Sequence, residues 1–159
     1  MTAISARAID LPDEAATAGL ARRLARRAAT GDVIGLSGEL GTGKTSFARA
    51  FIRALGRGNE DVPSPTFTLV EIYAFAGRPP IWHFDLYRLK TPEEAYELGI
   101  EDAFAEGVSL IEWPERLGPL LPQDHLRLTF APGPRATARR AQLTIPPSWA
   151  ERLREIGDE

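Results

Sequence analysis

Eight consecutive residues, Gly38-Glu39-Leu40-Gly41-Thr42-Gly43-Lys44-Thr45, carry the spacing G-x-x-x-x-G-K-[ST]. In such a loop the glycines let the backbone curl until successive N–H groups point at phosphate oxygens. A helix starting at its end adds the positive pole of its dipole. The lysine reaches the β- and γ-phosphates, and the hydroxyl after it ligates Mg2+. Gly38, Glu39, Leu40, Gly41, Thr42, Gly43, Lys44, Thr45 and Ser46 are therefore the candidate nucleotide-binding residues, with Lys44 also acting on the transferred phosphoryl group. Among 19 basic residues only Lys44 and Lys90 are lysines, which makes a lysine at this position informative. The motif is specific for a nucleoside triphosphate and says little about the reaction.

Phosphate-loop chemistry also needs carboxylates at the ends of neighbouring strands. Asp85 closes the strand-like run 81–84, and Glu112 closes 108–111. If both run parallel to 33–37, both acids emerge on the rim that carries the loop. Thr45, Asp85 and Glu112 form the candidate metal set. Asp85, the shorter acid, suits a water-mediated contact to Mg2+, and Glu112 suits orienting the attacking water. These two roles are open to exchange, and either acid is also of a type that ends a strand for local reasons. Thr66, in Ser64-Pro65-Thr66, is the candidate hydroxyl that senses the γ-phosphate and Mg2+, or else a turn residue. His83 reads as a substrate or partner contact, or as a strand histidine satisfied within the fold. Trp113, beside Glu112, reads as a packing or docking residue, with packing preferred.

The elements that must position these groups follow from pattern. A strand is expected over 4–9 and a helix over 12–29, with Pro12 in its first turn and Leu20, Leu24 and Ala28 on its buried side. Arg22, Arg23, Arg26 and Arg27 mostly face away, as a solvated face or a docking surface for a partner or RNA. A strand over 33–37, the glycine loop and a helix over 44–55 follow. Strands over 67–75 and 81–86 form an antiparallel hairpin around Gly77-Arg78-Pro79-Pro80. Thr91-Pro92-Glu93-Glu94 has the form of a capping box, so a helix should run from there towards Leu98 and end at Gly99. A brief turn over 101–106, a strand over 108–111 and one helical turn over 114–117 come next. A hairpin-like pair, 126–131 and 141–145, precedes a terminal helix over 147–156. The fold class expected is α/β: a P-loop NTPase fold with a mixed, mainly parallel sheet, antiparallel additions and helices on both faces.

The 159 residues fit one domain, 1–159, and 43% apolar content suffices for its core. No run approaches the roughly 20 apolar residues of a membrane span. The N-terminus lacks a signal-peptide pattern, so a cytoplasmic protein is expected. With no cysteine and two histidines, any metal must be held by oxygen. A net charge of −3 argues against coating nucleic acid through the overall field, while leaving room for a local basic patch.

Four blocks together resemble the bacterial TsaE (YjeE) proteins: Gly38 to Thr45, Ser64-Pro65-Thr66-Phe67-Thr68-Leu69-Val70, His83-Phe84-Asp85-Leu86-Tyr87-Arg88 and Glu112-Trp113-Pro114-Glu115. Leu11-Pro12-Asp13-Glu14 with Ala16-Thr17 resembles the segment where that family contacts adenine. The resemblance implies a small Mg2+-dependent ATPase, weak alone and stimulated by partners, required for threonylcarbamoyladenosine in tRNA. It implies ATP and Mg2+ as cofactors and the TsaD and TsaB proteins as partners, and leaves open an indirect or transient contact with tRNA. The role it implies is to reset that complex between turnovers. On this sequence the family roles fall on Lys44 and Thr45 for phosphate and Mg2+, Thr66 for a switch segment, Asp85 for the metal, Glu112 for hydrolysis and Thr17 for the base. Phe67 stands where many relatives have tyrosine, and the stretch from Pro132 carries no family motif.

Two rivals fit the same residues. A small-molecule kinase needs the same loop and acids plus an arginine lid, for which Arg135, Arg139 and Arg140 lie in an unpromising proline-rich hairpin. A nucleotide-sensing docking module would signal by occupancy without turnover. A GTP switch lacks its Asn-Lys-x-Asp motif.

Overall fold

The computed structural model describes residues 5–39 and 41–156. Ile4 of the first expected strand and Leu40 of the loop lie outside the described residues.

Seven strands form one sheet in the order β1-β7-β6-β2-β5-β4-β3. Four adjacent strands are parallel: β6 (Leu126–Pro132), β2 (Val33–Ser37), β5 (Val108–Glu112) and β4 (Ile81–Asp85). Antiparallel strands extend both edges, β3 (Val70–Tyr73) beside β4, and β7 (Arg139–Ile145) then β1 (Ser5–Leu11) beyond β6. This is the mixed sheet that the sequence predicts.

Every residue of β2 and β5 is buried, as expected of strands covered on both faces and of sequences as apolar as Val-Ile-Gly-Leu and Val-Ser-Leu-Ile. On one face pack α1 (Glu14–Ala25), α2 (Lys44–Leu55) and α4 (Pro147–Ile156). Leu24, Phe47, Phe51 and Trp149 meet Ile34, Leu36, Leu110 and Leu128 there. Burying a side chain such as Phe47 or Phe51 contributes about 2–3 kcal/mol. On the other face α3 (Ile100–Glu106) and two 3-10 segments, Pro92–Leu98 and Pro114–Leu120, cover Val33, Phe84 and Ile111. Helices thus lie on both faces.

Local chemistry explains where the elements depart from pattern. The first helix begins at Glu14, because Asp13 accepts the Ala16 N–H at 2.8 Å and so caps it, leaving Pro12 outside. It ends at Ala25, earlier than expected. The strand expected over 67–75 shrinks to Val70–Tyr73, since Leu69 takes a left-handed φ of 68° and breaks the extended run. The Glu94 carboxylate accepts the Thr91 N–H at 2.8 Å as the capping box requires, yet the segment that follows is 3-10. Residues 101–106 are no turn: Gly99, at φ 83°, ends that segment and α3 starts immediately, driven by burial of Ile100 and Ala103. Three acids among its seven residues mask this short apolar stripe in the sequence. The 3-10 segment from Pro114 also runs past 117, kinked at Gly118.

Candidate nucleotide-binding and catalytic site

Parallel strands deliver their C-terminal ends to one rim, and the residues with chemistry lie there. β2 ends at Ser37 and runs into the loop, whose Gly38, Gly41 and Gly43 have φ of 127°, 77° and 109°. At Gly38 a Cβ would come within 2.5 Å of the Phe130 carbonyl oxygen and 2.9 Å of Thr42 Oγ1, so the close passage against β6 admits only glycine. Gly43 stands at the N-terminus of α2, placing Lys44, Thr45 and Ser46 in its first turn.

The Lys44 ammonium folds over the loop, donating to the carbonyl oxygens of Gly38 and, at 3.0 Å, Glu39. It lies 4.0 Å from the centre of the Trp113 ring. Burial pushes this ammonium below its ordinary range, and the carboxylates of Glu112, Asp85 and Glu115 oppose that shift. Trp113 adopts a left-handed φ of 62°, so its ring serves the site as well as packing. The Thr42 hydroxyl donates to the Glu39 carbonyl at 2.6 Å and stays within the loop.

Register sets the acids side by side: Asp85 pairs with Glu112 at the ends of β4 and β5, and both are buried. They take different partners. The Thr45 hydroxyl donates to Glu112 at 3.0 and 3.2 Å, and His83 Nε2 lies 2.7 Å from Glu112 Oε2. Asp85 accepts from the Thr66 hydroxyl at 3.3 Å and the Tyr87 N–H at 3.1 Å. Burial raises the Asp85 carboxyl above its ordinary range; the Tyr87 N–H opposes this and the neighbouring Glu112 adds to it. Thr66 is held by a turn in which the Leu69 N–H donates to the Pro65 carbonyl at 2.7 Å. That turn is tied to β4 by the Asp85 N–H on the Leu69 carbonyl at 3.0 Å.

A cleft of about 240 Å3 is lined by Lys44, Thr45, Thr66, Asp85, Glu112 and Arg139, among others. Gly41, Gly43 and Ser46 line it too, so most of the expected residues converge. Thr17 does not join them directly. It lines a second hollow of about 420 Å3 between α1 and α2, with Arg22, Arg49 and Arg53, and Ser46 belongs to both.

The donor set suits Mg2+. Thr45, Asp85 and Glu112 offer only oxygens, and two buried, adjacent carboxylates favour a cation between or beside them. The described residues contain no group of three or more His, Cys, Asp or Glu that would cage a metal.

Arg139, which the sequence offers only as one of three lid arginines in an unpromising hairpin, lies at the loop. It opens β7, two strands from the loop, and Nη2 donates to the Gly41 carbonyl at 3.2 Å. Only the sheet order brings that hairpin over the loop, so residue type and spacing could not single it out from Arg135 and Arg140. Tyr87 was visible as part of His83-Phe84-Asp85-Leu86-Tyr87-Arg88, yet its place on the cleft wall, 5.0 Å from the Trp113 ring, depends on the turn after β4.

With this geometry in hand, a family profile described as "Threonylcarbamoyl adenosine biosynthesis protein TsaE" matches residues 11–141. The chain is 45% identical over 111 residues to the Rickettsia conorii "tRNA threonylcarbamoyladenosine biosynthesis protein TsaE", covering 70% of this chain and 63% of that one. To the Bacillus subtilis protein of the same name it is 39% identical over 120 residues, 75% of this chain and 72% of the other. The match thus spans just under two thirds of the Rickettsia conorii protein's length. The crystal structure of Bacillus subtilis YdiB superposes with a TM-score of 0.79 at 28% identity, over 98% of this chain and 96% of that one.

Proposed function

Because this chain belongs to the TsaE family, we propose that it is an Mg2+-dependent ATPase required for N6-threonylcarbamoyladenosine formation in tRNA. It acts with TsaD and TsaB proteins and resets their complex between turnovers. It works in the cytoplasm as one P-loop domain; no helix among the described residues is long and apolar enough to cross a membrane. The observation that carries this reading is the convergence of Lys44, Thr45, Thr66, Asp85 and Glu112 on one cleft at the C-terminal rim of the parallel strands.

In this reading the loop 38–45 holds the β- and γ-phosphates, with Lys44 turned from its own carbonyls onto phosphate oxygens. Ser46 continues the contact towards the α-phosphate, and Thr17, across the shared hollow, meets the base. Thr45, Asp85 and Glu112 hold Mg2+, which when bound neutralises charge developing on the phosphate oxygens. The hydrogen bond between Thr45 and Glu112 ties Glu112 to the loop residue that would share the ion with it. Asp85, bound to Thr66, then faces the side from which water approaches. Water adds to the γ-phosphorus, the bond to the bridging oxygen breaks, and ADP and inorganic phosphate leave, with the water's proton released through the carboxylates to solvent.

Slow turnover in isolation follows from Thr66. Thr66 is half-buried and bonded to Asp85, but its neighbours Ser64 and Phe67 are exposed, Phe67 to 84%, and hydrolysis depends on positioning that a partner covering this face would complete. The deciding experiment is ATP hydrolysis by the purified protein with Mg2+, alone and then with matching TsaD and TsaB proteins and tRNA. A partner-dependent rise of at least tenfold is expected. No rise with partners of demonstrated activity overturns the reset-ATPase reading.

Arg139 gives a small-molecule kinase a specific foothold, since an arginine does reach the phosphate loop. It comes from a strand pair packed in the sheet and not from a mobile lid, which favours hydrolysis. Transfer of labelled phosphate from ATP to a small acceptor in an acceptor screen would reverse that preference.

A further inference from the structure

We propose that His83 is a positioning residue for the reaction: its imidazole holds the Glu112 carboxylate in the orientation the metal site needs. This rests on the ATPase reading above and goes beyond it to a group that touches neither nucleotide nor solvent.

Sheet register puts the pair together. His83 is opposite Leu110 and Asp85 opposite Glu112, so His83 and Glu112 are diagonal neighbours on adjacent parallel strands. The imidazole is wholly buried and Nε2 approaches Glu112 Oε2 to 2.7 Å. Its other nitrogen, Nδ1, is also buried and has no hydrogen-bond partner among the described residues. Most buried polar atoms are paired, so a ring with a single partner stands out. Here one is left unpaired while the other meets the site carboxylate.

With the Glu112 carboxylate as acceptor, Nε2 donates the hydrogen bond between them.

Glu112 has two tethers. Thr45 belongs to the phosphate loop, where its hydroxyl also serves the cation, whereas His83 belongs to β4 and is independent of the loop. Hydrogen bonds that fix metal-ligating groups from behind typically account for 10–100-fold in metal affinity or activity.

The test compares the full-length wild type with His83→Gln and His83→Leu. Glutamine keeps an N–H donor at similar reach; leucine keeps bulk and removes the donor. Binding of a fluorescent ATP analogue is measured in EDTA and along a Mg2+ titration. The expected result is EDTA affinity within about twofold for all three proteins, a Mg2+ midpoint raised at least tenfold in His83→Leu, and a midpoint near wild type in His83→Gln. A leucine variant with the wild-type midpoint overturns the proposal, as does an equal loss of EDTA affinity in both variants, which would mark a structural role. Nitrogen-15 NMR of the histidine rings gives a readout that needs no substitution at His83. An Nε2 shift that moves in Glu112→Gln supports the proposal; an Nε2 shift that stays unchanged overturns it. ATP turnover is recorded in parallel: a wild type that binds Mg2+ and nucleotide without hydrolysis sinks the ATPase reading, while the Mg2+ midpoints still judge His83.

Discussion

At the ends of β4 and β5, Asp85, Glu112 and His83 are buried, and each carboxylate is held by two protein donors. Along β1 and β7, the flank on the far side of β6, the Arg140 and Asp10 side chains form an ion pair at 2.9 Å while remaining 65% and 77% exposed. The two regions carry comparable polar contacts with different consequences. In the first, low dielectric and fixed partners make each contact costly to break and able to steer a cation. In the second, water screens the pair until it contributes roughly 0–1 kcal/mol. Parallel strands covered on both faces can bury charge only at their ends, which is why chemistry collects there; an antiparallel edge can leave its charges in solvent.

Four substitutions test the difference between the buried rim and the solvated flank. The largest effect is expected from Glu112→Gln, which takes a charge out of the candidate metal set: partner-stimulated hydrolysis should fall by about 10^2–10^3-fold with nucleotide still bound in EDTA, as read by turnover beside an equilibrium binding assay. Unchanged turnover would remove Glu112 from the chemistry. Gly38→Ala should cost about 2–4 kcal/mol in denaturant unfolding, because the new methyl meets the Phe130 carbonyl and the left-handed backbone resists a side chain. An unfolding midpoint equal to wild type would show that the loop's approach to β6 is looser than described.

The third test uses His125, beside the parallel centre but away from the site. Burial lowers its pKa below the ordinary value, with the Pro122 carbonyl opposing and Arg127 adding to the shift. The folded state therefore holds fewer protons than the unfolded one below about pH 6.5, so stability is full above that pH and is lost as pH falls towards the lowered folded value. His125→Gln should flatten the stability profile in that window, followed by urea unfolding at several pH values; an unaltered slope would assign the acid sensitivity elsewhere. The smallest effect belongs to the flank. Asp10→Ala should change stability by about 0.5 kcal/mol or less, and a loss above 2 kcal/mol would show that the antiparallel edge is not as solvated as its exposure indicates.

Much of the candidate site's geometry was legible because a glycine-rich strand–loop–helix turn is a local backbone property. Gly38, Gly43, Lys44 and Thr45 lie within one such unit, and the acids of β4 and β5 announce themselves as polar residues ending apolar runs. Element ends were less legible where one residue's conformation decided them. Leu69 halved a strand, and Gly99 let a new helix begin where its acids suggested a turn.

The sequence by itself determined the phosphate loop, the α/β alternation and the short list of acids, since each depends on residue type at close spacing. Only the tertiary structure decided which acid meets Thr45, that His83 stands behind Glu112, and that Arg139 reaches Gly41 from 98 residues away. Those pairings follow from strand order and register, which bring together side chains that no local rule of spacing connects.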